Sequence, residues 1–192
     1  MLTLTTLLLL SSSPDAALAE RADSNSFERV TTTDDAAAED PSARLSGNFR
    51  YVGGERQRAA LRDAIEKAVE QLNWVIRGIG RSRLEAVTKI PPAVRYEVGS
   101  STIKMTYFGR PTMEAPADGS FVSRTDPQGK PMQVSFSIKG DTLVQIFKGE
   151  NGVRTNKVSV SEDGSRLTVR VSIKSNRLQD PLKYKLTYKR GD

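Results

Sequence analysis

The chain has 192 residues, 29 Lys+Arg against 23 Asp+Glu, a formal net charge of +6, and neither cysteine nor histidine. The missing residue types remove disulfides, thiol nucleophiles, cysteine–histidine zinc sites, histidine-ligated haem and serine–histidine–acid triads. General acid–base work would fall to carboxylates, lysine or tyrosine, and no carboxylate pair stands out, so the chain reads as a binding protein, not an enzyme, with no cofactor or metal.

Residues 1–10, MLTLTTLLLL, are apolar and precede SSSPDAALAE, where Ala17-Leu18-Ala19 has the form of a signal-peptide cleavage site. The run is too short to span a membrane as a helix. No Lys or Arg precedes it, a departure from the usual pattern. Residues 1–19 are therefore predicted to be a signal peptide, and the mature chain to be exported to a periplasmic, extracellular or other non-cytosolic compartment. Residues 20–44 hold seven acids, three arginines and few large apolar side chains. They are predicted to be an acidic disordered linker.

Residues 45–192 form the predicted folded domain and carry 26 Lys+Arg against 15 Asp+Glu. Such a balance favours anionic partners such as carboxylate ligands, lipid headgroups, acidic polysaccharide or nucleic acid, with plain solubility as the equal alternative. Nucleic acid is not expected, because no recognition motif is present and aromatics are few.

The domain opens on LSGNFRYVGG, a strand with a Gly-Gly stop. One long helix is predicted over residues 55–78, where Leu61, Ile65, Ala68, Leu72, Ile76 and Ile79 recur at three and four. Trp74 flanks that stripe, and Gly78 and Gly80 are read as its end. The arginines of RGIGRSR then read as cations at a helix C-terminus, with anion binding as the weaker alternative. RSRLEAVTKI allows a short second helix before Pro91-Pro92.

Everything after the prolines alternates as strand, about nine strands in all, joined by short turns such as Lys139-Gly140-Asp141 and Glu162-Asp163-Gly164. Strands joined in this way form an antiparallel meander, which must close into a barrel or split into a sandwich to cover its apolar face. The last two strands set Lys and Arg against Leu, Val, Ile and Tyr, so the cations form an outer, solvated face.

Some polar residues fall on the apolar face. Arg154 and Asn156 share it with Val158 and Val160; Gln145 shares it with Leu143 and Phe147. Tyr107 lies with Ile103 and Met105, and Tyr184 and Tyr188 lie with Leu182 and Leu186. An inward arginine needs an acid or an anionic ligand; close behind a turn it can instead snorkel to water. Buried tyrosines are commonly core residues with one hydroxyl partner.

This layout resembles the calycins, meaning the lipocalins and fatty-acid-binding proteins. Lipocalins begin with a Gly-x-Trp strand, and Gly47-Asn48-Phe49 stands in that place with Phe for Trp. The resemblance implies a late basic residue over that ring, here Lys189 or Arg190. It also implies helices between strands one and two, as residues 55–90 supply. Fatty-acid-binding proteins hold the ligand carboxylate with an arginine and a tyrosine of their last strands; PLKYKLTY offers Tyr184 and Tyr188 without the arginine.

The expected fold is mainly β: an antiparallel meander closed into a lipocalin-like barrel, with a helix between strands 1 and 2. The expected function is that of an exported monomer holding a small apolar, acidic, lipid-like ligand, with Tyr107, Gln145, Arg154, Asn156, Tyr184 and Tyr188 as its binding residues. The alternative is a non-catalytic cell-envelope module whose basic surface contacts an anionic membrane or polymer. An interior of about 300 Å³ or more favours the first, and a filled interior the second.

Overall fold

The computed structural model describes residues 41–126 and 129–191. The predicted signal peptide and residues 20–40 of the predicted linker lie outside the described residues. Helix α1 (Pro41–Leu45) leads into β1 (Gly47–Tyr51). Helices α2 (Gly54–Glu70) and α3 (Arg77–Val87) follow, joined by a single 3₁₀ turn at Trp74–Ile76. Nine further strands complete the fold: β2 (Ala93–Val98), β3 (Thr102–Tyr107), β4 (Met113–Pro116), β5 (Val122–Thr125), β6 (Pro131–Lys139), β7 (Thr142–Gly149), β8 (Gly152–Val160), β9 (Arg166–Ser175) and β10 (Leu182–Arg190).

All ten strands form one antiparallel sheet in the order β4-β3-β2-β1-β10-β9-β8-β7-β6-β5. Pairing of β1 with β10 bends the meander round on itself. The outer strands β4 and β5 share no ladder, but side chains bridge the gap. Arg124 Nη2 donates to the Glu114 carbonyl at 2.7 Å, and Ser135 Oγ donates to the Gly119 carbonyl at 2.7 Å. A lone Asp118–Ser137 bridge lies beside them. The result is a nearly closed, calycin-like barrel with its helices between β1 and β2.

Period-two alternation decides which side chains fill it. In β9, Leu167, Val169, Val171 and Ile173 are buried while Arg166, Arg170 and Lys174 are exposed. Phe49, Ile103, Val134, Phe136, Leu143, Val158 and Leu167 have no exposed surface. Arg190 is the basic residue over the first-strand ring: its guanidinium carbon lies 4.7 Å from the Phe49 centroid. The same guanidinium donates to the carbonyls of Gly164 at 2.8 Å, Ser46 at 2.7 Å and Arg44 at 2.5 Å. Lys189 lies on the outer face and is exposed.

The long helix is shorter than the stripe suggested. Leu61, Ile65, Ala68, Val69 and Leu72 are buried, but the stripe ends there. Asn73 breaks the helix by accepting from Val75 N at 3.1 Å, which starts a new turn. Trp74 accordingly projects into solvent, 79% exposed. Gly78 and Gly80 do not stop a helix; they lie inside α3. At Gly80 a Cβ would come within 2.2 Å of Leu72 Cδ1, so the glycine permits α3 to approach α2 closely. Arg77 caps α2, donating to the carbonyls of Leu72 and Glu70 at 3.1 Å each, and Arg81 pairs with Glu66. Both arginines are thus engaged within the helices.

Gln57 pins α2 to the barrel where β1 has ended. Its Oε1 accepts from Thr187 N at 2.9 Å and its Nε2 donates to Thr187 Oγ1 at 2.8 Å. No residue of α3 is buried.

The β8–β9 turn is held by Asp163, which accepts from Ser161 Oγ, from Ser165 Oγ at 2.6 Å and from Ser165 N at 3.1 Å. Gly164 takes the φ of +69° that the turn needs. The Ser161 and Ser165 hydroxyls and the Ser165 amide hold the Asp163 carboxyl down to about 2. A folded pKa below the unfolded one stabilises above about pH 4, and the contribution is lost as pH falls towards 2. Melting temperatures of Asp163→Asn and the parent chain are therefore expected to differ most near neutral pH and to converge towards pH 2.

Candidate functional site

The inner face near the helix-covered end carries the polar residues. Arg154 on β8 lies in register with Phe147 on β7 and Ile173 on β9. One row deeper, Gln145, Asn156, Val171 and Tyr184 are in register across β7 to β10. Strand alternation alone turns all of them inward.

These groups form a connected chain. Arg154 Nε donates to Asn156 Oδ1 at 3.0 Å, and Asn156 Nδ2 donates to Gln145 Oε1 at 3.2 Å. Gln145 Oε1 also accepts a long bond from Tyr96 OH at 3.5 Å, while Gln145 Nε2 meets Met105 Sδ at 3.2 Å. At its outer end Arg154 Nη1 donates to the Val87 carbonyl, the last residue of α3, at 2.9 Å. The guanidinium thus ties the barrel wall to the helix that covers it. No carboxylate of the described residues pairs with it.

Four phenols surround this charge. Burial works against the Arg154 cation, but Tyr184, Tyr107, Tyr188 and Tyr96 act the other way and leave its pKa above the ordinary arginine value. Burial pushes the Tyr184 phenol up, with Arg154 opposing, and pushes Tyr96 and Tyr188 up strongly. The cluster thus sets one cation among the hydroxyls of the inner face, an arrangement that favours a negative group.

The sequence-predicted residues divide into two groups. Gln145 and Asn156 are fully buried and engaged, Asn156 by Gln145 and Arg154 and Gln145 by Asn156 and Met105, and the Tyr188 hydroxyl is taken by the Pro91 carbonyl at 3.3 Å. Arg154, Tyr107 and Tyr184 are half-buried and retain unused capacity. The Tyr184 hydroxyl is buried with no hydrogen-bond partner among the described residues. Arg154 turns inward and reaches protein partners without an acid, its Nε meeting Asn156 inside and its Nη1 the Val87 carbonyl near the surface.

Tyr96, Met105 and the Val87 carbonyl were not among the predicted residues. Tyr96 alternates with Val94 and Val98, which marks it as inward, but its bond to Gln145 crosses 49 positions in sequence. At the level of Gln145 the interior is filled by Tyr96, Met105, Phe136 and Asn156. A cleft of about 270 Å³ lies elsewhere, on the outer side of β1 to β3, with Arg50, Arg95, Thr106 and Phe108 in its lining.

Gln145→Leu should lower the unfolding free energy by about 2 kcal/mol, because the buried Asn156 amide and Tyr96 hydroxyl lose their acceptor. Denaturant titration checks this. The Gln145→Leu/Asn156→Leu double variant should cost less than the two single changes added together.

No family model and no curated protein matches the chain. It is similar to several solved structures. One is the fatty-acid-binding protein of Manduca sexta, at 15% identity over 77% of this chain and 99% of that one, with a TM-score of 0.48. Another is a Schistosoma mansoni fatty acid binding protein in complex with arachidonic acid, at 12% identity over 80% and 100%, with a TM-score of 0.45. A third is secretory abundant heat soluble protein 4 of Ramazzottius varieornatus, at 14% identity over 78% and 96%, with a TM-score of 0.46.

Proposed function

We propose that this is a non-catalytic binding protein for a small acidic amphiphile of the fatty-acid class, held in the helix-covered half of the barrel. The observation that carries this reading is the buried, unpartnered Tyr184 hydroxyl close to a guanidinium that faces no acid. A buried donor left unmade costs free energy that a carboxylate oxygen would recover. Half-buried Tyr51, Tyr107, Met113, Met132 and Phe147 offer apolar surface towards the same end. In this reading the protein acts as a monomer outside the cytosol, consistent with the character of residues 1–19.

Native mass spectrometry of protein purified from cells should show a bound acid of this class, and a fluorescent fatty acid should titrate to one site per chain. Bare protein in the first measurement together with no saturation in the second would sink the proposal.

A second reading has its own support. The filled level at Gln145, Asn156, Tyr96 and Met105 suits a barrel packed by its own side chains, which would act through its surface alone. That reading predicts unchanged melting temperature at any fatty-acid concentration, whereas a ligand that binds only the folded chain raises it.

A further inference from the structure

The outer wall of the barrel carries cations in register. Across β8, β9 and β10, Lys157, Arg170 and Lys185 stand directly opposite one another. Four residues along each of β9 and β10, Arg166 stands opposite Lys189, and Lys189 opposite Arg50 on β1. All six side chains are exposed, and no ion pair among the described residues engages any of them.

Like charges directly opposite one another in a sheet are destabilising. Solubility is served by charges of both signs spread apart, which the ion pairs elsewhere on this surface supply. Two same-sign rows thus cost stability and gain nothing inside the fold. Between them lies a row of hydroxyls, Ser159, Thr168 and Thr187, also in register; the Thr187 oxygen already accepts from Gln57, so Ser159 and Thr168 form the open floor. The rise along a strand puts the two cationic rows about 13 Å apart, and they face each other across β9 and β10, which lie about 5 Å apart.

We infer that this face is a docking surface for a linear anionic polysaccharide, whose acid groups meet the two cationic rows and whose hydroxyls meet the Ser/Thr floor. Charge complementarity and the hydroxyl floor carry the choice of occupant. A single-stranded nucleic acid would need aromatic faces for its bases, and none lies in these rows. A bilayer anchor needs apolar side chains to bury in the headgroup region, and the rows hold none. Attraction of this kind is long-ranged and falls steeply with salt.

The test uses the full chain and immobilised polygalacturonate, a polymer of carboxylated sugars, at low and near-physiological salt. The parent protein should be retained, with affinity falling as salt rises. K157Q/R170Q/K185Q, and separately R166Q/K189Q/R50Q, should each weaken binding about tenfold or more and flatten the salt dependence. R83Q/R110Q/K139Q removes the same charge from scattered exposed sites and should change affinity less than about twofold. R154M should bind the polymer like the parent, which separates this surface from the barrel ligand. Melting temperatures of the row variants should stay level or rise, since repulsion is relieved.

Equal losses in row and scattered variants would reduce the effect to net charge and overturn the proposal. So would no retention at low salt, or tighter binding to a DNA oligonucleotide or to phosphatidylserine vesicles at equal anionic charge.

Discussion

Arg190→Met should be the most destabilising single change in the outer half of the barrel, lowering the unfolding free energy by about 3 kcal/mol. One guanidinium holds the carbonyls of Gly164, Ser46 and Arg44 and stacks on the fully buried Phe49 ring. Methionine fills much of the volume and satisfies none of the carbonyls. These belong to the β8–β9 turn, to the residue before β1 and to α1, so three segments lose a common anchor. Arg190→Lys keeps the charge but can reach only part of the fan, and should recover less than half of the loss. Lys189→Met, one position earlier on the exposed face, should change stability by less than about 0.5 kcal/mol. Guanidinium unfolding of the three variants measures the ranking, and equal midpoints for Arg190→Met and Lys189→Met would remove the anchor role.

The second large effect falls on ligand affinity. Arg154→Met should weaken binding of a long-chain fatty acid about a hundredfold, close to 3 kcal/mol, because a buried carboxylate loses its only cation. The matching fatty alcohol should bind the parent and the variant alike. Stability should shift much less than affinity: the variant removes a half-buried charge while leaving Asn156 Oδ1 and the Val87 carbonyl without their donor. Tyr184→Phe should cost the acid a smaller factor, about fivefold to tenfold, and should slightly stabilise the free protein by removing an unpaired hydroxyl. A parallel loss for acid and alcohol would place the effect in packing rather than in charge recognition.

Alternation made most of the strands legible, because burying one face of a sheet leaves a period of two in the sequence itself. The inward Arg154, Asn156 and Gln145 were visible for the same reason, as polar residues in an apolar register. The helical region was harder. Ile76 and Ile79 continue the spacing of Leu61, Ile65 and Leu72, yet the Asn73 side chain starts a new turn and sends Trp74 outward. Gly80 reads as a stop, but its meaning is the contact with Leu72, which only the packed pair of helices reveals. The Val87 carbonyl could not be foreseen as a partner of Arg154, since a backbone acceptor leaves no signal in residue type and the two positions lie 67 apart. The choice of Arg190 over Lys189 follows from register: Phe49 pairs with Arg190, so both turn to the same side.

The bond to the end of α3 and the proposed ligand contact fall on one side chain. Arg154 holds the end of α3, an element with no buried residue, so an anion that draws the guanidinium inward competes with that bond. Ligand entry and movement of α3 are expected to be coupled in consequence.

The most direct measurement follows the ligand's own carboxyl. A fatty acid labelled with carbon-13 at that position, bound to the protein, should show a carboxyl resonance that stays ionised well below the usual carboxylate range, because a cation and a hydroxyl donor favour the charged form. The shift should vanish in Arg154→Met. A bound acid that titrates at or above its ordinary value in the parent protein would contradict the account.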